Sequence, residues 1–553
     1  MKTKIKIILL GFVATFASCS EDFLVTEPTA TLTAEAVAEA AEINPSVGKG
    51  TLLGVYENLY RRGSGGSTAQ EDFGITSIFM NMDILCADMA HLGKSYSRQR
   101  NISELTATVD PDNGVNSRPW RFLYRIINLS NLIIDGAGGN DVVPTTPTGR
   151  YNIGQAKALR GYAYFNLIHM YVNDISNLSQ NVLPIYASAN DLEQPKSSLQ
   201  EVFDFTLKDL LDAETLLEGF VREDKIEINQ DIVRGIIART YGALNNWPQA
   251  EIYAKKVVDA GYPIMTNDEV ALLPGETGEV GGFNDINSVP GIMWGVDITP
   301  EGQGLASLFS WWGFMDQYSY SYAAVGNHKG IDAGLFAKLR ADDIRRYQFD
   351  DAYSSDLRPA GKFYYKGAHL AGFRRFSGPQ LNIDSDSHYM RSAEFYLLHA
   401  EAAAENGNYA AARTSLKALL NLRLTDASYI DALPVVAYNI QKNKILDLKI
   451  SGKRYCTLVY KRRQIGSLVT MKTEPFLFRV DFNAQELINL MPDKESFDYH
   501  QFIYPLEDDK KSGFGRTVVN YKPLSRNPTE ARDLLDNLFI AMEDRFKRLH
   551  PNG

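Results

Sequence analysis

An internal repeat places the strongest constraint on how this chain can fold. Residues 236–250 align with residues 398–412, and the offset is 162 throughout. Each copy reads as a helix, a tight turn containing Asn, and an aromatic residue followed three places later by Ala. Small residues that would let two helices approach closely recur at Ala238, Ala250, Ala400 and Ala412. The pattern predicts helix–turn–helix repeats of the tetratricopeptide kind, and two copies are too few to form a solenoid alone.

Further amphipathic helices are predicted around the first copy of the repeat. Apolar residues recur with helical spacing in residues 155–171, 198–217, 231–244 and 248–260. Pro248 stands where a helix tolerates proline at its start, and Gly261 stands where a helix commonly ends.

Helical periodicity fades between about 264 and 388, where glycine and aromatic residues are frequent and alternating stretches such as 291–296 favour strands. The predicted fold class is therefore mainly α: a tetratricopeptide-like helix-pair scaffold with an irregular, loop-rich subdomain containing short strands. No Pro/Ser-rich linker separates these parts, so residues 19–553 are expected to form one unit. The predicted scaffold spans about 30–263 and 389–465, and the variable, ligand-facing part spans about 264–388 and 466–553.

The amino-terminal residues predict a lipoprotein signal peptide over residues 1–18. Lys2, Lys4 and Lys6 precede an apolar stretch, 7–16, that is far shorter than the roughly 20 residues needed to span a bilayer. Ala17 and Ser18 then precede Cys19, which is the arrangement of a lipobox. The expected product begins at a lipidated Cys19 that anchors the protein to a membrane.

Charge and cysteine content exclude two classes of protein. The formal net charge is −10, from 57 Lys and Arg against 67 Asp and Glu, and such an acidic chain is a poor nucleic-acid binder. Beyond Cys19 only Cys86 and Cys456 remain, which is too few for a disulfide framework. Two alternatives remain open for this pair: both are buried free thiols, or they form one Cys86–Cys456 bridge.

No sequence motif points to an enzyme, a cofactor or a metal site. The eight histidines form no HExxH pair, and no GxSxG, phosphate-binding or dinucleotide-binding loop occurs. Asn382, Asp384 and Asp386 alternate like the first ligands of a calcium loop, but Ser387 and Ala393 stand where Gly and Glu are required. The expected protein is noncatalytic and carries neither cofactor nor metal.

The most unusual composition lies in residues 309–322, where seven of fourteen residues are aromatic against about 1.5 expected from the chain average of 11%. Aromatic rings can cover the flat C–H faces of sugars. Trp311, Trp312, Tyr318 and Tyr320 are therefore predicted to be stacking rings. The alternative is that these rings simply pack onto the helices.

Several stretches resemble the SusD/RagB-like outer-membrane lipoproteins. The stretch from Trp120 to Asn131 resembles the family's W-x-x-x-Y-x-x-I-x-x-x-N helix, and Ala156 to Leu167 resembles its A-x-A-L-R-A-F-A-Y-F-D-L signature. Residues 203–210, 389–402 and 503–507 resemble three further family segments, and the resemblance extends almost from end to end.

The resemblance implies both a fold and a function. It implies tetratricopeptide-like helix pairs that support a variable half, a lipid-anchored position on the outer face of the outer membrane, and a partner, a SusC-like TonB-dependent transporter that receives the captured ligand. It also implies a ligand surface that includes residues 83–103. By location, Tyr96 becomes a candidate stacking ring, and Arg98 and Asp83 become candidates for binding hydroxyls or a charged substituent.

The leading hypothesis is a cell-surface lipoprotein that captures oligosaccharide and passes it to its transporter without catalysis. One alternative is peptide capture, as in part of the family. Another is a lipoprotein that only holds a protein complex together. Burial of the aromatic segment on the repeats would favour the scaffold, whereas an aromatic surface facing solvent would favour ligand binding.

Overall fold

The computed structural model describes residues 46–426 and 428, apart from 86–88, 93–97, 104–106, 108–112, 173–174, 272, 274–281, 284, 300–308, 316–320, 324, 332–335, 337–338, 351–357 and 360–385. The α-helices of this part are α1 (Ser46–Asn58), α2 (Ile75–Leu85), α3 (Arg100–Ser103), α4 (Gly114–Gly136), α5 (Pro147–Tyr171), α6 (Leu199–Leu216), α7 (Gln230–Ala243), α8 (Trp247–Asp259), α9 (Asn267–Val270), α10 (Trp311–Met315), α11 (Ser392–Glu405) and α12 (Tyr409–Arg423). The mainly α fold class is thereby confirmed.

Short strands pair two by two, and each pair is antiparallel. The pairs are β1 (Met89–His91) with β5 (Lys329–Ile331), β2 (Asn181–Pro184) with β3 (Lys196–Ser198), β4 (Ile292–Val296) with β8 (Ser387–Arg391), and β6 (Phe349–Asp350) with β7 (Arg358–Pro359). The predicted strand at 291–296 is β4, which is buried along its whole length.

The longer helices form one continuous stack. Each helix packs against the next in the order α4, α5, α6, α7, α8, α11 and α12, and the larger hydrophobic core lies between them. The chain leaves the stack after α8 and returns 132 residues later as α11, which packs directly on α8. Residues 260–391 are therefore an insertion into a helical stack that is continuous in space.

The two copies of the repeat have their helix starts and turns at equivalent positions. Helices α7 and α8 begin exactly 162 positions before α11 and α12. Each turn has one residue with positive φ at the equivalent position, Asn245 at 57° and Gly407 at 78°. Next comes the N-cap of the second helix, Asn246 or Asn408. Asn and Gly adopt this left-handed conformation most readily, so the turn chemistry sets the angle between the helices of each pair.

One buried ion pair links the first copy to the second. Arg239 of α7 donates from Nε and Nη2 to the two carboxylate oxygens of Glu394 in α11, and both distances are 2.6 Å. Both side chains are buried. A bidentate pair of this kind has fixed geometry, so it sets the register of α11 against the helices that precede the insertion.

A second buried arginine connects the first half of the stack. Arg160 of α5 forms a bidentate pair with Asp209 of α6 at 2.7 Å, and its Nη1 also donates to Oδ1 of Asn131 in α4 at 2.7 Å. Nη1 donates further to the carbonyl oxygen of Ala187, and Nη2 donates to Oδ1 of Asn140. Three of the segments that carry the family resemblance thus meet at a single guanidinium, through Asn131, Arg160 and Asp209.

Helix α5 differs from the prediction in its surroundings. The sequence shows an apolar stripe only one face wide, yet every residue from Asn152 to His169 is buried. Helices α4 and α6 cover α5 from two sides and α1 covers a third. Its polar residues accordingly have partners in the core, such as Gln155, which accepts a hydrogen bond from the hydroxyl of Tyr56 at 2.6 Å.

Several predicted features lie outside the described residues: the signal peptide, Cys19, Cys86, Cys456 and residues 429–553. The division into scaffold and variable parts stays a prediction. Within the described ranges, no helix combines the length and the apolar character needed to cross a bilayer.

Lys329 of β5 is a buried lysine in the insertion. Its Nζ lies 3.4 Å from the carbonyl oxygen of Phe314 and 5.2 Å from the centroid of the Phe314 ring. Burial lowers the pKa of Lys329 to about 7, and the more distant carboxylate of Glu71 opposes that shift. Because an ammonium with a single long hydrogen bond is poorly compensated, the charged form is costly in this position.

We predict that Glu394→Ala lowers the free energy of unfolding by about 3–5 kcal/mol, because Arg239 is left buried without its counter-charge. Asp259→Ala is the control, since it breaks only the exposed Lys255–Asp259 pair and should cost less than about 1 kcal/mol. Urea unfolding of both variants measures the difference. Equal losses would show that the buried pair does not hold the two repeats together.

We predict that Lys329→Met stabilises the protein, by at most about 5 kcal/mol below pH 7, because no charge is then buried. In the original protein, the unfolded chain holds a proton between pH 7 and 10.5 that the folded chain has released. Stability should therefore rise with pH across this interval, and the variant should lose that slope.

Urea unfolding at pH 6, 7.5 and 9 tests the Lys329 prediction. Lys225→Met is the control, because Lys225 is a half-buried lysine that donates to the carbonyl oxygens of Ile286 and Val289. Removing it should destabilise the protein. A destabilising Lys329→Met would mean that the ammonium is needed where it lies.

Candidate ligand-binding site

The structure describes four of the seven predicted ligand-binding residues. Asp83 lies near the end of α2 and is half-buried, and Arg98 is half-buried just before α3. Trp311 and Trp312 begin α10. The other three, Tyr96, Tyr318 and Tyr320, lie outside the described residues.

The two tryptophans are core residues and not an exposed platform. Trp311 is 3% exposed and Trp312 is 1% exposed, and their rings meet edge to face at 4.9 Å. The indole N–H of Trp312 donates to the carbonyl oxygen of Asp386 at 2.9 Å, which fixes the ring inside a second, smaller core. Since neither ring presents a face to solvent, this arrangement leaves no room for stacking on a sugar. Composition revealed the aromatic cluster but not which side of it faces water.

Asp386 has a structural role in the same region. Its carboxylate accepts hydrogen bonds from the backbone N–H groups of Ile286 at 2.8 Å and Ile298 at 2.9 Å. Asn382 and Asp384, the other members of the calcium-like pattern, lie outside the described residues. A carboxylate that accepts from two backbone amides ties the insertion together next to β8.

Arg98 connects the first predicted region, residues 83–103, to the aromatic segment. Its Nη1 lies 3.1 Å from Oε1 of Glu71, and its guanidinium carbon lies 5.2 Å from the centroid of the Tyr322 ring. Tyr322 donates its hydroxyl hydrogen to Gln70 and packs against Phe314 at 5.2 Å between ring centroids. Two regions far apart in sequence therefore meet at this guanidinium.

A second arginine–aromatic contact lies at the edge of the same region. The guanidinium carbon of Arg62 lies 3.9 Å from the centroid of the Phe309 ring. Arg62 is exposed and Phe309 is half-buried, so part of this contact faces solvent. We call Arg62, Arg98, Phe309 and Tyr322 the arginine–aromatic rim.

The rim depends on a glycine-rich turn. Asp72 is buried, and its carboxylate accepts hydrogen bonds from the backbone N–H of Gly65 at 2.8 Å and from the N–H and hydroxyl of Ser67. Gly74 has φ of 70°, and a methyl group there would lie 2.1 Å from the carbonyl oxygen of Leu59. Only glycine fits at this position, and the turn that carries Gln70 and Glu71 is held in place on both sides.

The pairing of two strands connects residues 89–91 to residues 329–331 beside the rim. Strand β1 pairs with β5, and the ring nitrogen Nε2 of His91 lies 3.0 Å from Oδ1 of Asn327. This contact ties the segment that leads toward Arg98 to the segment that follows Tyr322.

The sequence did not identify Arg62, Gln70, Glu71 or Phe309 as site residues. Two sequence features could have pointed to them: the Arg61–Arg62 pair beside the glycines at 63–66, and Phe309 at the start of the aromatic segment. The sequence does not show that Arg62 and Phe309 are in contact, because they are 247 positions apart.

The chemistry of the rim suits a hydroxyl-rich ligand with an apolar face. Among the described residues, Arg98 engages one of its five N–H donors, in its bond to Glu71. Phe309 offers part of a ring, and Arg62 offers an exposed guanidinium beside it. A sugar could stack on the ring while its hydroxyls accept hydrogen bonds from the guanidinium groups.

Comparison with known proteins gives matches to one family. Residues 70–241 match the profile SusD-like_3, described as "Starch-binding associating with outer membrane", and residues 320–424 match the profile of the SusD family. A search of curated proteins found no match.

Solved structures share the fold at low sequence identity. A SusD-like carbohydrate binding protein from Bacteroides vulgatus is 22% identical, with 74% of this chain and 81% of that chain covered and a TM-score of 0.58. A SusD superfamily protein from Bacteroides fragilis is 18% identical over 78% and 94% of the two chains, also with a TM-score of 0.58. Surface glycan-binding protein A from Bacteroides thetaiotaomicron, solved in complex with laminarihexaose, is 14% identical over 76% and 91%, with a TM-score of 0.55.

The two profiles cover both the first half of the helical stack and the segment that rejoins it, and the solved structures share its fold. The resemblance predicted from the sequence is confirmed, and this chain belongs to the SusD/RagB-like family.

Proposed function

We propose that this protein is a noncatalytic, lipid-anchored protein of the outer cell surface that captures oligosaccharide and passes it to a TonB-dependent outer-membrane transporter. The observation that carries the proposal is the arginine–aromatic rim. It combines a partly exposed ring with the guanidinium of Arg62, which directly precedes the glycine-rich turn, and that of Arg98, which is paired with Glu71 after the turn. Rings and donors in this combination are how proteins commonly bind sugars.

Relatives support the ligand class. One structure with the same fold is described as a SusD-like carbohydrate binding protein, and another is a surface glycan-binding protein in complex with laminarihexaose. Both share the fold with this chain at low identity, so the ligand class is carried over while the particular sugar is not.

In the proposed site, Arg62, Arg98 and Phe309 contact the sugar directly, and Tyr322 supports Arg98 from below. Tyr96, Tyr318 and Tyr320 are proposed as further stacking rings because they neighbour these residues in the sequence. Asp83 is proposed to accept hydrogen bonds from hydroxyls. Trp311 and Trp312 contribute by holding the second core beneath the rim and not by stacking.

The proposed partner is a TonB-dependent transporter that receives the captured sugar. A lipidated Cys19 would hold the protein at the membrane surface beside a SusC-like transporter. Tethering raises the effective concentration of the binder at the transporter, so modest affinity for each ligand is sufficient.

A scaffold lipoprotein is the second candidate function. It is favoured by the burial of Trp311 and Trp312, since buried rings cannot bind a ligand. Against it, the two indoles lie in the smaller core, which the insertion shares with α2 and α3, and not on the helical stack. The rim also remains partly exposed.

We predict that Arg98→Ala weakens glycan binding at least tenfold, which corresponds to about 1.4 kcal/mol, because charged donors to the sugar are lost. The measurement is affinity gel electrophoresis of residues 20–553 against a broad polysaccharide panel that includes host mucin glycans. The panel also identifies the sugar, and ring-to-Ala variants then locate the stacking residues.

Arg234→Ala is the matched control. The Arg234 and Glu214 side chains are 24% and 13% exposed and form an ion pair at 2.8 Å, whereas Arg98 and Glu71 are 28% and 16% exposed at 3.1 Å. The control therefore breaks a pair of similar burial on the helical stack and should leave binding within threefold. Retardation by no glycan would sink the capture proposal, and co-purification with the transporter would then favour the scaffold.

A further inference from the structure

Three arginines line one face of α4 beside the glycine-rich turn. Arg118, Arg121 and Arg125 are spaced by three and four positions, which places them on the same side of the helix. Arg121 donates from Nε to the carbonyl oxygen of Gly65 at 2.9 Å. A methyl carbon at Gly66 would lie 3.4 Å from Nε of Arg121 and 3.6 Å from Nη2 of Arg125, so both guanidinium groups reach the turn.

Arg118 touches the same turn with the base of its side chain, while its guanidinium lies beside Gly114 at the beginning of α4. A methyl carbon at Gly65 would lie 3.1 Å from Cβ of Arg118 and 2.9 Å from Oδ1 of Asp72. Burial lowers the pKa of Arg118, the carboxylates of Glu71 and Asp72 raise it, and the neighbouring Arg121 lowers it. The cationic form of Arg118 is therefore poorly compensated in this position.

The acidic residues nearby are already engaged. Glu57 lies 3.6 Å from Arg61, and Glu71 lies 3.1 Å from Arg98. Asp72 accepts three hydrogen bonds from the glycine-rich turn. Within the described ranges, the remaining arginines of this surface have no carboxylate within 4 Å: Arg62, Arg118, Arg121 and Arg125.

This surplus of positive charge stands out in a chain whose formal net charge is −10. It adjoins the rim, because Arg62 directly precedes the turn that Arg121 and Arg125 contact, and the adjacent residues Glu71 and Asp72 lie between Arg98 and Arg118. Like charges held together on one surface repel one another, and a bound anion relieves that repulsion.

A narrow cleft beside Arg118 adds a second observation. Its lining includes Gly65, Asp72, Asn81 and Arg118, and it has room for about one water-sized group. Oδ1 of Asn81 is buried there and accepts no hydrogen bond from the described residues. A hydroxyl group that enters the cleft would satisfy this acceptor.

We propose that this surface selects acidic glycans, whose carboxylate or sulfate groups bind the arginines of α4 and Arg62 while a sugar ring occupies the rim. The inference rests on the proposed glycan-binding function and specifies its substrate class. Arginine suits both anions, because its planar guanidinium matches two oxygens of a carboxylate or a sulfate at once. The aromatic ring beside the arginines favours an acidic sugar over a bare anion, because a sugar can stack on the exposed part of the ring and a bare anion cannot.

The test uses the mature chain with Cys19→Ser and three probes measured by isothermal titration calorimetry. Oligogalacturonate carries carboxylates, its carboxyl-reduced form is the neutral match, and a chondroitin sulfate oligosaccharide adds sulfate. We expect at least one acidic probe to bind tenfold or more tighter than the neutral one. Its affinity should fall severalfold between 50 and 200 mM NaCl, whereas binding of the neutral probe should not change.

The double variant Arg118→Gln/Arg121→Gln should reduce the preference for the acidic probe to less than threefold. Arg234→Gln is the matched control and should preserve that preference, and thermal unfolding verifies that the variants are folded. The salt dependence of the original protein tests the charge requirement independently of any variant. The desulfated form of the chondroitin oligosaccharide, which keeps its carboxylates, distinguishes a sulfate from a carboxylate as the preferred group.

Three outcomes would overturn the inference. Equal binding of acidic and neutral probes would refute acidic selection while leaving glycan capture intact. Binding of no glycan in this experiment or in the polysaccharide panel would refute both. Equally tight, arginine-dependent binding of inorganic polyphosphate, or of phosphatidylglycerol vesicles, would identify a general anion or membrane surface instead.

Discussion

A guanidinium removed from water must find an acceptor for each of its five N–H groups, and Arg160 does so with four residues. Its acceptors are Asp209, Asn131, Asn140 and the backbone of Ala187, which come from two neighbouring helices and two connecting segments. Leaving any of these donors unpaired would cost free energy comparable to a lost hydrogen bond or more. The positions of α4, α5 and α6 are therefore tied to one side chain, and the other helices pack outward from them.

The candidate site depends on this network because α4 belongs to both. Asn131, in the second half of α4, accepts from Arg160 in the core. Arg121, in the first half, donates to the glycine-rich turn, and the Cβ of Arg118 packs against the same turn. A helix held rigidly at one end presents its side chains at the other end with little loss of conformational entropy, which suits a binding surface.

Sequence reasoning reached the scaffold because the scaffold is local and periodic. The offset of 162, the Asn turns and the motif residues Asn131 and Arg160 all lie where the structure uses them. The contact between Arg239 and Glu394 could not be derived, since nothing in the chain indicates which buried charges meet across 155 positions.

The candidate site was less predictable for a related reason. Aromatic content identified residues 309–322 but could not separate Trp312, whose N–H is satisfied inside the core, from Phe309, which reaches the surface. Burial depends on what lies on both sides of a segment, and the insertion has no periodicity from which to infer it. The arginines of α4 are helical neighbours in sequence, yet only the structure places the turn at 63–66 against them.

The insertion between α8 and α11 has an evolutionary consequence. Its two ends are fixed in space by helices that pack directly on each other, and β4 and β8 pack part of it into the larger core through residues such as Trp294. Residues added between these contacts oppose folding mainly through loop-closure entropy. That entropy grows with the logarithm of loop length, and doubling the 132 residues would cost only about 0.6 kcal/mol. Such a fold can lengthen, shorten or exchange parts of its insertion while the helices beneath it stay unchanged. The sequence of the insertion can therefore change faster in evolution than the sequence of the helical stack.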